Sequence, residues 1–177
     1  MPPRSLRFLI LALVLPVALS GCSVFQKKKT PPPCPPIYIL ADTAKITKYK
    51  PGPGRDLTDV EIEAEIAGYK GDCFYTEDGG EVAFQISFTV KRGPAGKREG
   101  SELSYFVAIP KFFPAEGAKG VFTVPITFPE GVDVARTTDD EVVMRIPIKD
   151  REVVDDYEIY IGFQTTPEEL EMNRRSK

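Results

Sequence analysis

Apolar and acidic residues alternate strictly along the segment Val60-Glu61-Ile62-Glu63-Ala64-Glu65-Ile66. Successive side chains of a β-strand point to opposite faces, so this alternation predicts a strand with one face in a core and the other in solvent. The segment 82–90 repeats the pattern, since Val, Phe, Ile, Phe and Val alternate there with small or polar residues. The dominant period of the chain is therefore two, as in β-structure.

Six further runs of apolar and β-branched residues surround these two segments. They cover residues 37–40, 46–49, 103–109, 121–128, 142–148 and 157–163. Turn residues separate the runs at 50–54, 77–80, 93–96 and 129–131. Short strands with one apolar face predict an all-β, immunoglobulin-like sandwich of two antiparallel sheets with about seven or eight strands. Pro125 and Pro147 predict edge strands or bulges, because proline cannot donate to a β-ladder.

The end of the chain departs from this pattern. Thr166 is followed by Pro167 and, three positions on, by Glu169, which is the signature of a capped helix start. Arg174 and Arg175 suit the negative end of such a helix. The sequence therefore predicts a short C-terminal helix of about two turns, which either docks through Leu170 and Met172 or frays.

The amino terminus has the form of a secretory signal peptide over residues 1–21. Arg4 and Arg7 precede an apolar run, 8–18, which leads into Leu19-Ser20-Gly21-Cys22. A helix of 11 residues spans roughly 16 Å, whereas crossing a bilayer takes about 20 residues. The run is therefore interpreted as a signal and not as a membrane-spanning helix.

The tetrapeptide ending at Cys22 resembles the lipobox of bacterial lipoproteins. That resemblance implies cleavage between Gly21 and Cys22 and acylation of the Cys22 thiol, which would then begin the mature chain. The alternative is an ordinary secreted protein in which Cys22 is a free thiol. That alternative leaves three cysteines in an oxidising compartment, so one of them would be unpaired.

Lipidation of Cys22 leaves Cys34 and Cys73 to form a disulfide. On the chain-entropy model, closing the loop between them would stabilise the fold by about 4 kcal/mol. The predicted bond would hold either the first strand or the end of the tether against the strand that continues through Cys73. The spacing is not that of a redox-active Cys-x-x-Cys pair, so we expect a structural role.

Residues 22–36 form a predicted lipidated tether rich in lysine and proline, and residues 37–177 form the predicted β-sandwich domain. Proline-rich chain favours polyproline II at about 3.1 Å per residue, so Ser23 to Pro33 would span up to roughly 34 Å. Lys27, Lys28 and Lys29 either approach anionic lipid head groups or belong to a solvated linker. Both interpretations of the lysines are open at this point.

Charge and composition exclude several classes of function. Cleavage after residue 21 removes Arg4 and Arg7, which leaves 21 basic and 26 acidic residues, a net charge of −5. From Cys34 onward the chain has 18 basic and 26 acidic residues, a net charge of −8. We therefore predict no nucleic-acid partner. The chain has no histidine, which excludes Ser-His-Asp and Cys-His catalysis. We expect no metal site, because the acidic clusters lack calcium-loop spacing, and no cofactor.

Two segments are candidate partner surfaces. Lys91, Arg92, Lys97 and Arg98 concentrate positive charge in one predicted hairpin, where they would either meet an anionic partner or only blunt a sheet edge. Phe112-Phe113 lies between two prolines and would either anchor a protein partner or tuck under its own loop.

Several segments are similar to a group of small uncharacterised lipoproteins from diderm bacteria. The similarity covers most of the mature chain and is carried by residues 54–59, 105–108, 162–167 and 173–174. It implies lipidation and a β-domain, but no activity and no site. Ser23, directly after the lipidated Cys, resembles the signal for export to the outer membrane, whereas Asp there would imply inner-membrane retention.

Together these observations predict a non-enzymatic lipoprotein of the cell envelope. Its anchor would lie in the inner leaflet of the outer membrane and its domain in the periplasm. Its sandwich would bind or support another envelope component, most simply a protein complex. One alternative is a small-ligand or glycan-binding module, which needs a concave pocket lined by several tyrosines. Another is a carboxylate-based hydrolase, which needs two buried carboxylates facing each other across a cleft.

Overall fold

The computed structural model describes residues 33–76, 79–99, 101–147 and 156–175. Within these ranges the chain forms nine strands and one α-helix. The strands are β1 (Ile37–Ile39), β2 (Lys45–Tyr49), β3 (Val60–Thr76), β4 (Gly79–Arg92), β5 (Ser101–Ala108), β6 (Lys119–Ile126), β7 (Val134–Thr138), β8 (Val142–Ile146) and β9 (Ile159–Phe163). The helix is α1 (Pro167–Arg175).

The strands form two sheets, which confirms the predicted all-β sandwich. The first sheet has the order β1-β9-β5-β6, and the second has the order β2-β3-β4-β7. Strand β8 also pairs with β4, beside its first half, while β7 pairs with its second half. All pairs are antiparallel except β1 with β9, which run parallel. The two sheets face each other across one core, where the Phe88 ring lies 5.3 Å from that of Tyr105 and 5.8 Å from that of Phe163.

The structure adds one strand to those predicted and confirms the continuation of another. Strand β7 was not predicted, because only Ala135 of its five residues is buried and large apolar residues do not alternate along it. Strand β3 continues from Ile66 through Cys73 to Thr76, which confirms the strand predicted to continue through Cys73. The alternation stops after Ile66 at a bulge next to Gly68, whose φ is +155°, and pairing with the buried strand β4 keeps the rest of β3 extended.

Both prolines lie where the sequence predicts an interruption. Pro125 belongs to β6, which is an edge strand of the first sheet. Pro147 directly follows β8, which ends at Ile146. Neither proline therefore removes a hydrogen bond from the interior of a sheet.

Helix α1 has the predicted start. The Glu169 amide donates to Thr166 Oγ1 at 3.2 Å, and the Thr166 amide donates to Glu169 Oε2 at 2.7 Å. The helix docks beside β2, because Lys48 Nζ lies 2.8 Å from Glu169 Oε1 and the Asn173 side chain donates to the carbonyls of Asp42 and Lys45. Leu170 and Met172 are half-buried. The sequence left two possibilities open, docking and fraying, and the structure shows docking.

The strands give the sandwich two distinguishable ends. At the first, which we call the tether end, the chain enters at Pro33 and the Cys34–Cys73 disulfide joins it to β3. The loop 109–118 lies at this same end, since Ala108 pairs with Tyr160 and the Ile159 amide donates to the Pro36 carbonyl. The opposite, distal end carries the loops 50–59 and 93–99 and the turn 129–133.

Candidate functional site

The predicted basic hairpin lies at the distal end. Most of its charged side chains form hydrogen bonds or ion pairs with other groups of the protein. Arg92 donates to Asp133 Oδ1 through Nε at 3.0 Å and to the Gly96 carbonyl at 3.1 Å. Lys91 Nζ lies 3.4 Å from Glu63 Oε2. Arg98 donates to the Pro129 carbonyl at 2.8 Å, while Lys97 is exposed. These bonds hold three neighbouring loops together, so the hairpin is less of an anion-binding surface than its sequence indicates.

A groove of about 610 Å³ opens beside this hairpin, and we call it the distal groove. It is lined by Leu57, Val60, Glu63, Lys91, Arg92, Gly93, Pro94 and Asp133. Leu57 is 81% exposed, as much as any large apolar side chain in the described residues. The groove therefore combines an apolar contact with charges of both signs, as the rim of a protein interface does.

A network of hydrogen bonds fixes the position of Leu57. Residues Leu57–Asp59 form a 3-10 helix capped by Asp56, which accepts from the Thr58 amide at 2.7 Å. Bonds from the Thr58 hydroxyl and amide lower the pKa of Asp56. Asp59 is buried and pairs with Lys50 at 2.5 Å, and its bond and charge raise the pKa of Lys50. A Cβ at Gly54 would lie 2.1 Å from Asp59 Oδ2, so only glycine fits there.

The predicted Phe112-Phe113 pair is divided between the core and the solvent. Phe112 is half-buried, with its ring 5.7 Å from that of Tyr157. Phe113 is 81% exposed. The loop that carries it is closed by hydrogen bonds from the Phe113 amide to the Pro110 carbonyl at 3.0 Å and from the Ala115 amide to the Phe112 carbonyl at 2.8 Å. Phe112 therefore packs under the loop, as one interpretation expects, and Phe113 remains exposed to a partner.

The two candidate surfaces do not meet. The hairpin precedes β5 and the phenylalanine loop follows it, so the eight residues of β5 lie between them. At about 3.3 Å per residue this strand is roughly 26 Å long. They are therefore two separate surfaces, at the distal and the tether end.

The residues that carry the resemblance to small lipoproteins have structural roles in two contacts. Arg55 donates to the carbonyls of Gly52 and Gly54 at 2.8 Å, and its Nε lies 3.3 Å from Glu168 on α1. Gly162 lies between Thr43 and Phe106, and a Cβ there would lie 2.0 Å from Thr43 Oγ1. Sequence reasoning treated these segments only as markers of similarity. In the structure, Arg55 joins the loop 50–59 to α1, and Gly162 allows Thr43 to pack closely on β9.

The described residues give little support to a chemical site. Asp59 is the one buried carboxylate among them, and it is paired with Lys50. The acidic turn at Asp139 accepts a hydrogen bond from the buried Tyr105 hydroxyl at 2.7 Å, and burial raises the pKa of Tyr105. Within the same ranges no three metal-ligating side chains come together. Tyr38 and Tyr160 stack on each other, with ring centroids 5.6 Å apart.

The predicted anchor and cleavage site at Gly21 and Cys22 lie outside the described residues. The predicted disulfide between Cys34 and Cys73 is confirmed. None of the helices in the described part of the chain is long and apolar enough to cross a membrane.

No protein-family model matches the chain, and neither a curated protein nor a solved structure matches it. Function therefore has to be argued from the residues and their geometry alone.

Proposed function

We propose that the protein is a lipid-anchored envelope lipoprotein that binds or supports another envelope component without catalysing a reaction. The observation that carries this proposal is the segment Leu19-Ser20-Gly21-Cys22 at the end of a signal peptide. Acyl chains on Cys22 hold the mature protein at a membrane, because each buried CH₂ contributes about 0.8 kcal/mol. Ser23 supports the inner leaflet of the outer membrane as the location, with the domain in the periplasm.

The filled interior of the sandwich supports a binding role. The rings of Phe88, Tyr105 and Phe163 fill the space between the sheets, and all three residues are fully buried. A carboxylate hydrolase needs a pair of acids across a cleft, whereas the buried Asp59 is already paired with a lysine. A glycan-binding module needs a pocket lined by tyrosines, whereas Tyr38 and Tyr160 contact each other. The surface is therefore the part of the molecule that supports a function best.

The distal groove is the surface that we assign to the envelope partner. It lies at the opposite end from the tether, so a lipid-anchored domain presents it away from the membrane. Leu57 offers an apolar anchor, while Glu63, Lys91 and Asp133 at its edge offer both charges. A protein with one apolar side chain and mixed charges at its contact complements such a surface.

Site-specific photocrosslinking in native membranes tests this assignment. A photoreactive residue replaces Leu57 in the full chain, expressed with its own signal peptide. The matched control carries the same residue at Val143, which is also exposed but lies on β8, beside the half of β4 that is nearer the tether end. We expect one discrete crosslinked protein from position 57 and not from position 143. Recovery of the monomer alone from both positions would contradict the partner role.

A further inference from the structure

The tether end carries an exposed aromatic side chain on a firmly held loop. Phe113 is 81% exposed, although the residues around it are bound to the body of the protein. Lys111 Nζ lies 2.9 Å from Asp156 Oδ2 and 4.3 Å from the centroid of the Tyr157 ring. Phe112 packs against the same ring. The loop therefore holds the backbone at Phe113 in place, so little backbone entropy is lost when the ring makes a contact.

A second exposed phenylalanine lies at this end. Phe74 is 59% exposed and follows the disulfide-bonded Cys73 on β3. Tyr75 donates to the Pro33 carbonyl, so Phe74 lies beside the point where the described chain begins. Two exposed aromatic residues thus occupy the end at which the tether enters.

The chain outside the described residues determines what this end faces. Only ten residues separate Cys22 from Pro33. Extended as polyproline II, Ser23 to Pro33 would span up to roughly 34 Å. If Lys27, Lys28 and Lys29 approach anionic head groups, each would add about 1 kcal/mol of attraction. The length of the tether therefore limits how far the tether end can lie from the lipid surface.

We propose that Phe113 inserts into the interfacial region of the bilayer that holds the acylated Cys22, so that the tether end of the sandwich rests on phospholipid. The proposal rests on the lipid anchor of the proposed function. One aromatic ring binds a membrane weakly by itself, but the anchor makes the contact intramolecular, and a short tether gives it an effective concentration in the millimolar range.

The absence of tryptophan from the sequence makes a direct test possible. The variants F113W and L57W each carry one tryptophan, at positions that are equally exposed and lie at opposite ends. Each acylated full-length mature protein is reconstituted into vesicles of phosphatidylethanolamine and phosphatidylglycerol, with and without brominated acyl chains. We expect both variants to float with the vesicles. Vesicle binding should shift the F113W emission maximum to shorter wavelength, and brominated chains should quench most of that emission. Neither effect should occur in L57W.

The remaining outcomes separate the two proposals. If both variants float and F113W is no more quenched than L57W, the membrane contact is wrong and the anchor stands. If neither variant floats, the anchor is wrong and the contact falls with it. If F113W emission shifts in native membranes but not in pure lipid vesicles, a protein covers Phe113, and this also overturns the proposal.

Discussion

Gly162 shows how much a single position in the first sheet depends on the absence of a side chain. It lies in the middle of β9, where a Cβ would lie 2.0 Å from Thr43 Oγ1 and 2.9 Å from Phe106 Cζ. Thr43 is held in place, because its carbonyl accepts from the Phe163 amide at 2.8 Å. The neighbours therefore cannot move aside without breaking the loop that follows β1.

The substitution Gly162→Ala should consequently lower the free energy of unfolding by about 1–3 kcal/mol, the usual cost of overpacking. Urea denaturation followed by circular dichroism measures this loss. Gly117→Ala is the matched control, since nothing lies within 4 Å of a Cβ there, and it should be close to neutral. Thr43→Ala in the Gly162→Ala background should restore part of the loss. Equal stability of the two glycine variants would contradict the steric argument.

Single residues were also where sequence reasoning was least complete. Phe112 and Phe113 are adjacent and chemically identical, and only the position of Tyr157 decides which of them is covered. Leu57 was missed altogether, although a large apolar residue within a turn rich in Gly, Pro and Asp was a visible signal. The exposure of a side chain depends on how the loops assemble around it, so residue type alone could not predict it.

At the scale of elements, the disulfide is the strongest constraint on the amino-terminal segment. It joins Cys34 to Cys73 across 39 residues, while β1 contributes only three residues of pairing with β9. The double variant Cys34→Ser/Cys73→Ser should lower the free energy of unfolding by about 2–4 kcal/mol. Denaturation of the oxidised wild type and the variant, each with and without reductant, measures the difference. Reductant should affect the wild type alone, and its failure to do so would contradict this role.

Helix α1 should lose stability in acid. Burial by itself raises the pKa of Glu169, but hydrogen bonds from Lys48 and Thr166 outweigh it and leave the pKa below the ordinary 4.5. A lowered pKa in the folded state means that Glu169 stabilises the fold above about pH 4.5 and that this contribution is lost as the pH falls through the folded-state pKa.

The variant Glu169→Gln should therefore show a smaller decrease in melting temperature between pH 7 and pH 3 than the wild type. Calorimetry across this range measures the two slopes. Glu168→Gln is the control, because Glu168 lies on the same helix and is exposed, and it should follow the wild type more closely. Identical slopes for all three proteins would show that Glu169 does not stabilise α1.

Elements were predicted from sequence wherever burial alternated and were missed where pairing alone maintains the strand. The capping box at Thr166 is entirely local, so it was visible in the sequence. Only one of the five residues of β7 is buried, and the strand is held by its pairing with β4. Long-range pairing of this kind leaves no period in the sequence.

At the scale of the whole molecule, two sheets follow from the period of two, but the separation of the two ends does not. It depends on strand order, which places the start of the described chain at Pro33, the loop 109–118 and the end of β3 together. The sequence predicted which residues form the candidate surfaces. Only the structure shows that these surfaces lie at opposite ends of the sandwich. The anchor itself stays a prediction from the sequence.

Replacing Cys22 by Ser in the full chain tests that anchor. The wild type should fractionate with membranes and resist extraction by high salt, whereas the variant should lose this association because it cannot be acylated. Cys34→Ser/Cys73→Ser is the control, since it removes two thiols and leaves the lipidation site. Membrane fractions that contain wild type and Cys22→Ser protein in equal amounts would contradict the proposed location.

The parallel pairing of β1 with β9 has a mechanical consequence. A pull on the amino-terminal segment meets the disulfide at Cys34 before it reaches β1, so the tension passes to β3 in the other sheet. Reduction of that bond would transfer the tension to β1. Because β1 runs parallel to β9, a pull along β1 would then load the hydrogen bonds between these strands together, in shear, and not one after another.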